Sequence, residues 1–447
     1  MHKQLRLTSA AALLGAAALA GCNNFLTGGD LSHDPNRPSA VSTNQVFVGV
    51  QSFIWSLLGS DPARLAGLFD QQFTGGSAQY LALSQALSVD EQTTNGFFTG
   101  LYSGGGLIDA RREETLARQT SDSTFLGIAQ IQEAVIAGTA ADLFGDIVYS
   151  QAYGPPNPKL DPQLSVYDSV QVLLSQAITN LSRTGPTNLG PGAVDITYGG
   201  SRAKWTALAH TLKARFYLHT AEVRPGAYAQ ALAESKQGIT NADNNLIAQF
   251  SGNAGEQNFY YQFESNRPGQ LAAGPFFVSL LESRNDPRID RYFNASRTDL
   301  SDAMVAPDAS QPLVTAQENL LIEAETAYRG GDQATARAAL NQEQTIEGVP
   351  LTDASVTGSA LLREILTEKY IALFGTIEPW NDYKRTCFPN IAPPATARGK
   401  KFPARLLYDA NERQTNTNIP GAEAQPPRNA NDPANTQDPF GNACLGQ

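Results

Sequence analysis

Apolar positions in this chain recur every three to four residues over most of its length, and that periodicity predicts a mainly α protein. Val170, Leu173, Leu174, Ala177, Ile178 and Leu181 mark one face of an amphipathic helix. Ser165 followed by Asp168 has the spacing of a capping box at its start. Residues 46–73 repeat the same period. Trp205, Leu208, Leu212 and Phe216 form the stripe of a later helix, with Tyr228, Ala231, Leu232 and Ser235 in its partner. Residues 320–328 and 334–340 make a second pair across Arg329-Gly330-Gly331-Asp332, and residues 361–374 a further helix. An apolar helix, a short Gly-containing turn and a helix with Ala at close-packing positions is the look of tetratricopeptide-type hairpins. Generic helical pairing is the other reading of the same pattern.

Strand signals are few and short. Three stretches break the helical period. Residues 79–106 mix aromatics with polar residues and Gly and lead into a helix at about Leu107. Residues 253–275 are polar and aromatic, and residues 392–447 are rich in Pro, Asn and Gly. Irregular segments of this length are either functional or clamped. The expectation is helical hairpins packed against an irregular, loop-rich face.

The beginning of the chain has a different character. Lys3 and Arg6 precede an apolar run over residues 7–20, too short to span a bilayer as a stable helix. Leu19-Ala20-Gly21-Cys22 follows, which resembles the lipobox of bacterial lipoproteins. In such proteins the Cys thiol is lipidated, and cleavage just before it frees an amino group that is acylated. Several acyl chains on one residue anchor a domain firmly, where one chain binds only marginally. An ordinary secretory signal with a chance Cys is the alternative. On the lipoprotein reading, residues 1–21 are a signal peptide, residues 22–44 a lipidated tether from Cys22, and residues 45–447 a single domain. No later segment approaches a spanning length of apolar residues, so the anchor is the expected membrane contact.

The formal charge of −11 argues against a nucleic-acid partner, since that affinity rests on Lys and Arg neutralising phosphates. Charged residues are only 17%, while uncharged polar residues are plentiful, a surface suited to uncharged polar ligands and also common among exported bacterial proteins. Besides Cys22 the chain has Cys387 and Cys444. In an oxidising compartment they are candidates for a disulfide, with two independent thiols as the alternative. Two Cys alone do not make a zinc site.

Catalytic chemistry has little to stand on. His33, His210 and His219 are the only histidines beyond the leader, and His210 and His219 lie too far apart for shared metal ligation at i, i+4. Gly199-Gly200-Ser201-Arg202-Ala203 superficially resembles a nucleophile elbow but has no preceding strand. There is no Walker loop, no dinucleotide fingerprint, no H-E-x-x-H and no EF-hand loop. No catalytic residue, metal site or cofactor is assigned. The informative groups are aromatics in the irregular stretches: Tyr80, Phe97, Phe98 and Tyr102, then residues 258–263 with Asn266 and Arg267. Aromatic faces stack on the apolar faces of sugar rings while amides and Arg bond the hydroxyls. Tyr80, Phe98, Tyr260, Tyr261 and Arg267 are the candidate ligand contacts. The competing reading is that such aromatics anchor loops to the body. Trp55, Trp205 and Trp380 lie in helical segments and read as core.

Several motifs, in order along the chain, resemble one family. Asp34-Pro35-Asn36 follows the lipobox; Ala141-Asp142-Leu143-Phe144-Gly145-Asp146-Ile147-Val148-Tyr149-Ser150-Gln151-Ala152 resembles a "YGDVPYSEA" signature with Phe144 in place of Tyr. Asn285-Asp286-Pro287-Arg288 fits a "DPR" segment. Glu368-Lys369-Tyr370 with Trp380 and Arg385-Thr386-Cys387-Phe388-Pro389 resembles "EKW…W…RRTGYP", with Cys387 where Gly is common. Pro403-Ala404-Arg405-Leu406-Leu407-Tyr408 followed by Glu412 fits "PRRLLYP…E". Together these resemble the SusD/RagB family of outer-membrane nutrient-binding lipoproteins, in its starch-binding-associated branch. The resemblance implies a helical fold with tetratricopeptide-like hairpins. It also implies a cell-surface role as lid of a SusC-like TonB-dependent transporter, capturing an oligosaccharide or peptide for import. A lipid-anchored envelope hydrolase and a tetratricopeptide-type adaptor are the alternatives.

Taken as residues alone, the motifs read as architecture. Phe144, Ile147 and Val148 are expected to end a helix and enter the core around a Gly145-Asp146 turn. Asp286-Pro287-Arg288 reads as a turn or helix start. Arg288, Lys384 and Arg385 have carboxylates such as Glu364 or Glu368 as candidate partners.

Overall fold

The periodicity over residues 46–73 belongs to two helices, α1 (Thr43–Gly59) and α2 (Asp61–Phe69). Pro62 sits in the first turn of α2, where its missing N–H leaves no bond unmade. The structure, a computed structural model, describes residues 41–447, so the expected signal peptide, Cys22 and most of the expected tether lie outside the described residues. One unit runs from Val46 to Gln447.

The body is an array of antiparallel helices. α5 (Leu107–Gln119) packs on α6 (Ser123–Phe144), α6 on α7 (Gln163–Ser182), and α7 on α8 (Arg202–His219). The stack continues through α9 (Ala227–Ser235) to α13 (Ala316–Arg329), which packs on α14 (Gln333–Glu347) and α15 (Ser359–Ala372). Each helix buries its apolar stripe on its neighbours, the arrangement of stacked helical hairpins. Local chemistry starts these helices. Asp122, Thr315 and Asp332 accept from the backbone N–H three residues on, satisfying orphan donors of the first turn. Close approach is also written in: a Cβ on Gly138 of α6 would stand 2.2 Å from the Phe216 ring of α8.

Ser165 does not cap α7. The helix begins two residues earlier at Gln163, after Pro162, and Asp168 forms an ion pair with Arg224 instead. Pro162 takes the N-cap position, so Ser165 falls inside the first turn, where it has no orphan N–H of its own helix start to cap. The Phe144 expectation holds: α6 ends there, Gly145 takes φ of +77°, and Phe144, Ile147 and Val148 are buried.

The irregular face contains more regular structure than its sequence indicates. Residues 79–106 include α3 (Ala78–Ala86) and α4 (Asn95–Tyr102); residues 253–275 include α10 (Phe259–Asn266) and β3 (Leu271–Ala273). Helices of eight or nine residues are unstable alone and persist by docking, so their local signal is weak. β1 (Phe73–Gly75) pairs antiparallel with β3, and β2 (Leu246–Ala248) with β4 (Gln311–Val314). These two ribbons fasten the irregular face to the array. α11 (Pro275–Arg284) and α12 (Arg288–Tyr292) follow β3, α16 (Glu378–Thr386) follows α15, and α17 (Ala410–Thr415) lies in the C-terminal stretch.

Buried and partly buried polar contacts of charged side chains tie these segments together. Arg288 binds Asp286 at 2.6 Å and also pairs with Glu368; Arg284 takes Glu364 at 2.5 Å. Arg385 reaches Glu325 and Asp382, both at 2.8 Å, and Lys384 donates to the Asp142 carbonyl at 2.9 Å. Most of the family-like motif residues therefore act as architecture. Trp55, Trp205 and Trp380 are buried, and the Trp380 indole donates to the Pro403 carbonyl at 2.9 Å.

Candidate functional site

Three of the five candidate ligand contacts are core anchors. Tyr80, on α3, is 4% exposed; its ring lies 4.8 Å from Phe263 and its hydroxyl accepts from Arg64 Nε at 3.4 Å. Phe98, on α4, is 3% exposed and packs edge-on against Phe144 at 4.9 Å. Tyr260, on α10, is 1% exposed and donates to the Gly375 carbonyl at 3.2 Å. A sugar ring stacks only on a free aromatic face, so Tyr80 and Phe98 are corrected to loop anchors. Tyr260 is likewise closed to the outer surface and borders an inner cavity. Residue type identified aromatics on short helices, while the docking of those helices decided which side they turn. Tyr261 is half-buried and Arg267 is exposed, its guanidinium 5.8 Å from the Phe263 ring centroid. Neither lines a concavity described below.

An open groove of about 420 Å³ lies elsewhere on the irregular face. Its floor comes from α15 through Thr367 and Tyr370. One wall is Phe276 and Leu280 of α11; the other is Phe388, Pro389 and Asn390 after α16, with Asp438 and Asn442 from the C-terminal segment. Phe276 is 37% exposed, the free aromatic face that the buried candidates lack. Its neighbour Phe277 is fully buried, because adjacent helical residues point about 100° apart. The Arg363 guanidinium lies 3.7 Å from the Phe440 ring centroid at the same groove.

The polar wall is held in place. Cys387 and Cys444 are disulfide-linked with Cα atoms 6.1 Å apart, joining the two segments that form it. Asp438 accepts from the backbone N–H groups of Phe440 and Asn442, each at 2.9 Å, and from the Asn442 amide at 2.9 Å. Asn390 donates to Asp438 at 3.4 Å and to the Ala443 carbonyl at 2.9 Å. Burial pushes the Asp438 carboxyl up, but these hydrogen bonds outweigh it and hold the group below its ordinary value. An aromatic face opposite fixed amides and a guanidinium can stack a hydroxyl-bearing ring and bond its rim.

His210 and His219 serve structure. His210 Nδ1 lies 2.6 Å from Glu234, and His219 is enclosed by Asp142 and Glu378. Among the described residues no group of three His, Cys, Asp or Glu side chains is placed to hold a metal ion. Sequence reasoning missed Phe276, and the Phe276-Phe277 doublet after Pro275 was the available signal, since one helix face cannot bury both rings. Asp438 and Asn442 had none beyond their irregular surroundings.

Known structures share this architecture. A SusD/RagB family protein from Bacteroides thetaiotaomicron is similar at a TM-score of 0.71 and 20% identity, over 87% of this chain and 97% of that one. A chitin-binding SusD homologue from Flavobacterium johnsoniae gives a TM-score of 0.72 at 17% identity, over 88% and 99%. At these identities the likeness shows the fold. No curated protein matches the sequence. A family model described as starch-binding and associating with the outer membrane matches residues 35–409. With that match over most of its length and the stacked hairpins beneath an irregular face, the chain belongs to the SusD-like family.

Proposed function

We propose that this protein is a cell-surface lipoprotein, anchored through Cys22 in the outer membrane, that captures oligosaccharides in the Phe276 groove and delivers them to a TonB-dependent transporter. The observation that carries the reading is the exposed Phe276 face set against the Asn390–Asp438–Asn442 wall, in a chain of a family described as starch-binding. The chitin-binding relative supports a glycan as the ligand class. The absence of charge clustering in the groove favours uncharged sugars over charged peptides, and no catalytic step is assigned.

The test has three parts. Calorimetric titration with malto- and chito-oligosaccharides should show binding that Phe276→Ala weakens by about 1–3 kcal/mol at unchanged melting temperature. Binding unaffected by that substitution sinks the groove. Crosslinking in intact cells should recover a TonB-dependent barrel, and its absence removes the transport role. Cys22→Ser should release the protein from membranes or leave it unprocessed; unchanged retention refutes the anchor.

A further inference from the structure

The groove has a direction, set by two helices. α11 and α15 run side by side in opposite senses. Phe276, near the start of α11, places its ring 6.2 Å from that of Tyr370, near the end of α15. Arg284, at the end of α11, takes Glu364, near the start of α15, at 2.5 Å. Leu280 and Thr367 line the groove between those two contacts. Along its floor Arg363, Thr367 and Tyr370 fall at i, i+4 and i+7, one face of a helix. At about 1.5 Å per residue, the Tyr370 end and the Arg363 end are about 10 Å apart. That is longer than a single pyranose ring.

The far end carries a prepared donor. Arg363 is exposed, and its guanidinium rests on the Phe440 ring, 3.7 Å from the centroid. That platform is itself held, because Phe440 packs edge-on against Phe388 at 5.7 Å and its N–H donates to Asp438 at 2.9 Å. Among the described residues no carboxylate claims the guanidinium. Glu364 is taken by Arg284, and Asp438 accepts from Asn390, Phe440 and Asn442 of its own wall. A guanidinium stacked on a ring keeps the N–H groups along its edge, and two of them in parallel match a pair of neighbouring oxygens. Adjacent hydroxyls on a sugar rim are such a pair. Arg363 and Asp438 are the charged residues of the lining, one of each sign, which suits a neutral ligand.

We propose that the groove is divided into two subsites, with Phe276 stacking one ring and Arg363 taking two adjacent hydroxyl oxygens from a ring further along the same neutral glycan, so that Arg363 makes the groove discriminate by chain length. This rests on the reading of the groove as an oligosaccharide site.

The test compares two lengths of each glycan. The processed full-length protein, in a non-glycosidic detergent, is titrated with methyl α-glucoside and maltotetraose, and with methyl N-acetyl-β-glucosaminide and chitotetraose, by ligand-observed NMR for the weak binders and calorimetry for the strong. At least one tetrasaccharide should bind about tenfold or more tightly than its single-ring glycoside, the gain expected of one charge-assisted contact. Arg363→Met should remove most of that advantage at an unchanged melting temperature. Arg363→Lys keeps the charge without the planar fork and should remove it too. Phe276→Ala should weaken both lengths together. Equal affinity for the two lengths, an advantage that survives Arg363→Met, or one that Arg363→Lys retains in full each overturns the proposal while leaving the groove as a glycan site. No binding of either tetrasaccharide, or tetrasaccharide binding indifferent to Phe276→Ala, instead overturns the groove reading and this proposal with it.

Discussion

His219 Nε2 lies 2.8 Å from Glu378, a residue 159 positions further along the chain, and its Nδ1 lies 2.7 Å from Asp142. The ring joins the end of α8 to α16 and to the family-like Asp142 motif. Burial pulls the imidazolium down, but Asp142 and Glu378 outweigh it and push the ring up to about 10. A raised folded-state value means that this contribution is fully present below the ordinary value of 6.5 and is lost as pH rises towards 10. Denaturant midpoints measured from pH 6 upward should therefore fall through that window. His219→Gln should cost about 3–5 kcal/mol at neutral pH, as expected for breaking a buried pair, and should flatten the alkaline decline. A wild-type midpoint constant across the window contradicts a charged His219.

The Asp438 wall should respond at the opposite end of the scale. Its carboxyl is held below the ordinary value of 3.8, so its stabilising bonds are intact above that value and are lost as pH falls through the lowered one. Oligosaccharide affinity at the groove should hold down to about pH 4 and then drop. Asp438→Ala should weaken binding at neutral pH, because Asn390 and Asn442 lose their common acceptor. Equal affinity for the variant and the wild type would show that the wall is not part of the ligand surface.

The Cys387–Cys444 bond closes a separation of 57 residues that contains little regular structure. Chain entropy alone gives such a cross-link about 4 kcal/mol, an upper figure because strain subtracts. The double substitution Cys387→Ala, Cys444→Ala should lower the melting temperature and reduce groove binding. Mass spectrometry of the native protein without reductant should find the two cysteines linked; two free thiols would refute the bond.

Gly138 admits Phe216 of α8 against the backbone of α6. A Cβ there would stand 2.2 Å from that ring, so Gly138→Val forces the helices apart. The expected cost is about 1–3 kcal/mol or more, read as a fall in melting temperature. Adding Phe216→Leu should recover part of the loss, and no recovery would place the strain elsewhere.

The helical array was legible in the sequence because its signal is local. Apolar residues at i, i+3 and i+4 face one way whatever surrounds them, and the hairpins at residues 205–235 and 320–340 followed from that period. The Gly145 turn was legible for the same reason. The candidate ligand surface was not. Tyr80, Phe98 and Tyr260 are the right residue type in the right part of the chain, yet short helices gain their orientation from docking, and docking turned these rings inward. Phe276 was turned outward by the same process. The Asp438 wall and the His219 site bring together residues far apart in sequence, and no local pattern encodes such pairings. The sequence alone thus determined the long helices of the array, the turns that join them and the family they resemble, but not the short helices of the irregular face. Tertiary packing alone decided which aromatic face meets solvent and which polar atoms are left unpaired, because burial and hydrogen-bond satisfaction exist only once the layers have met.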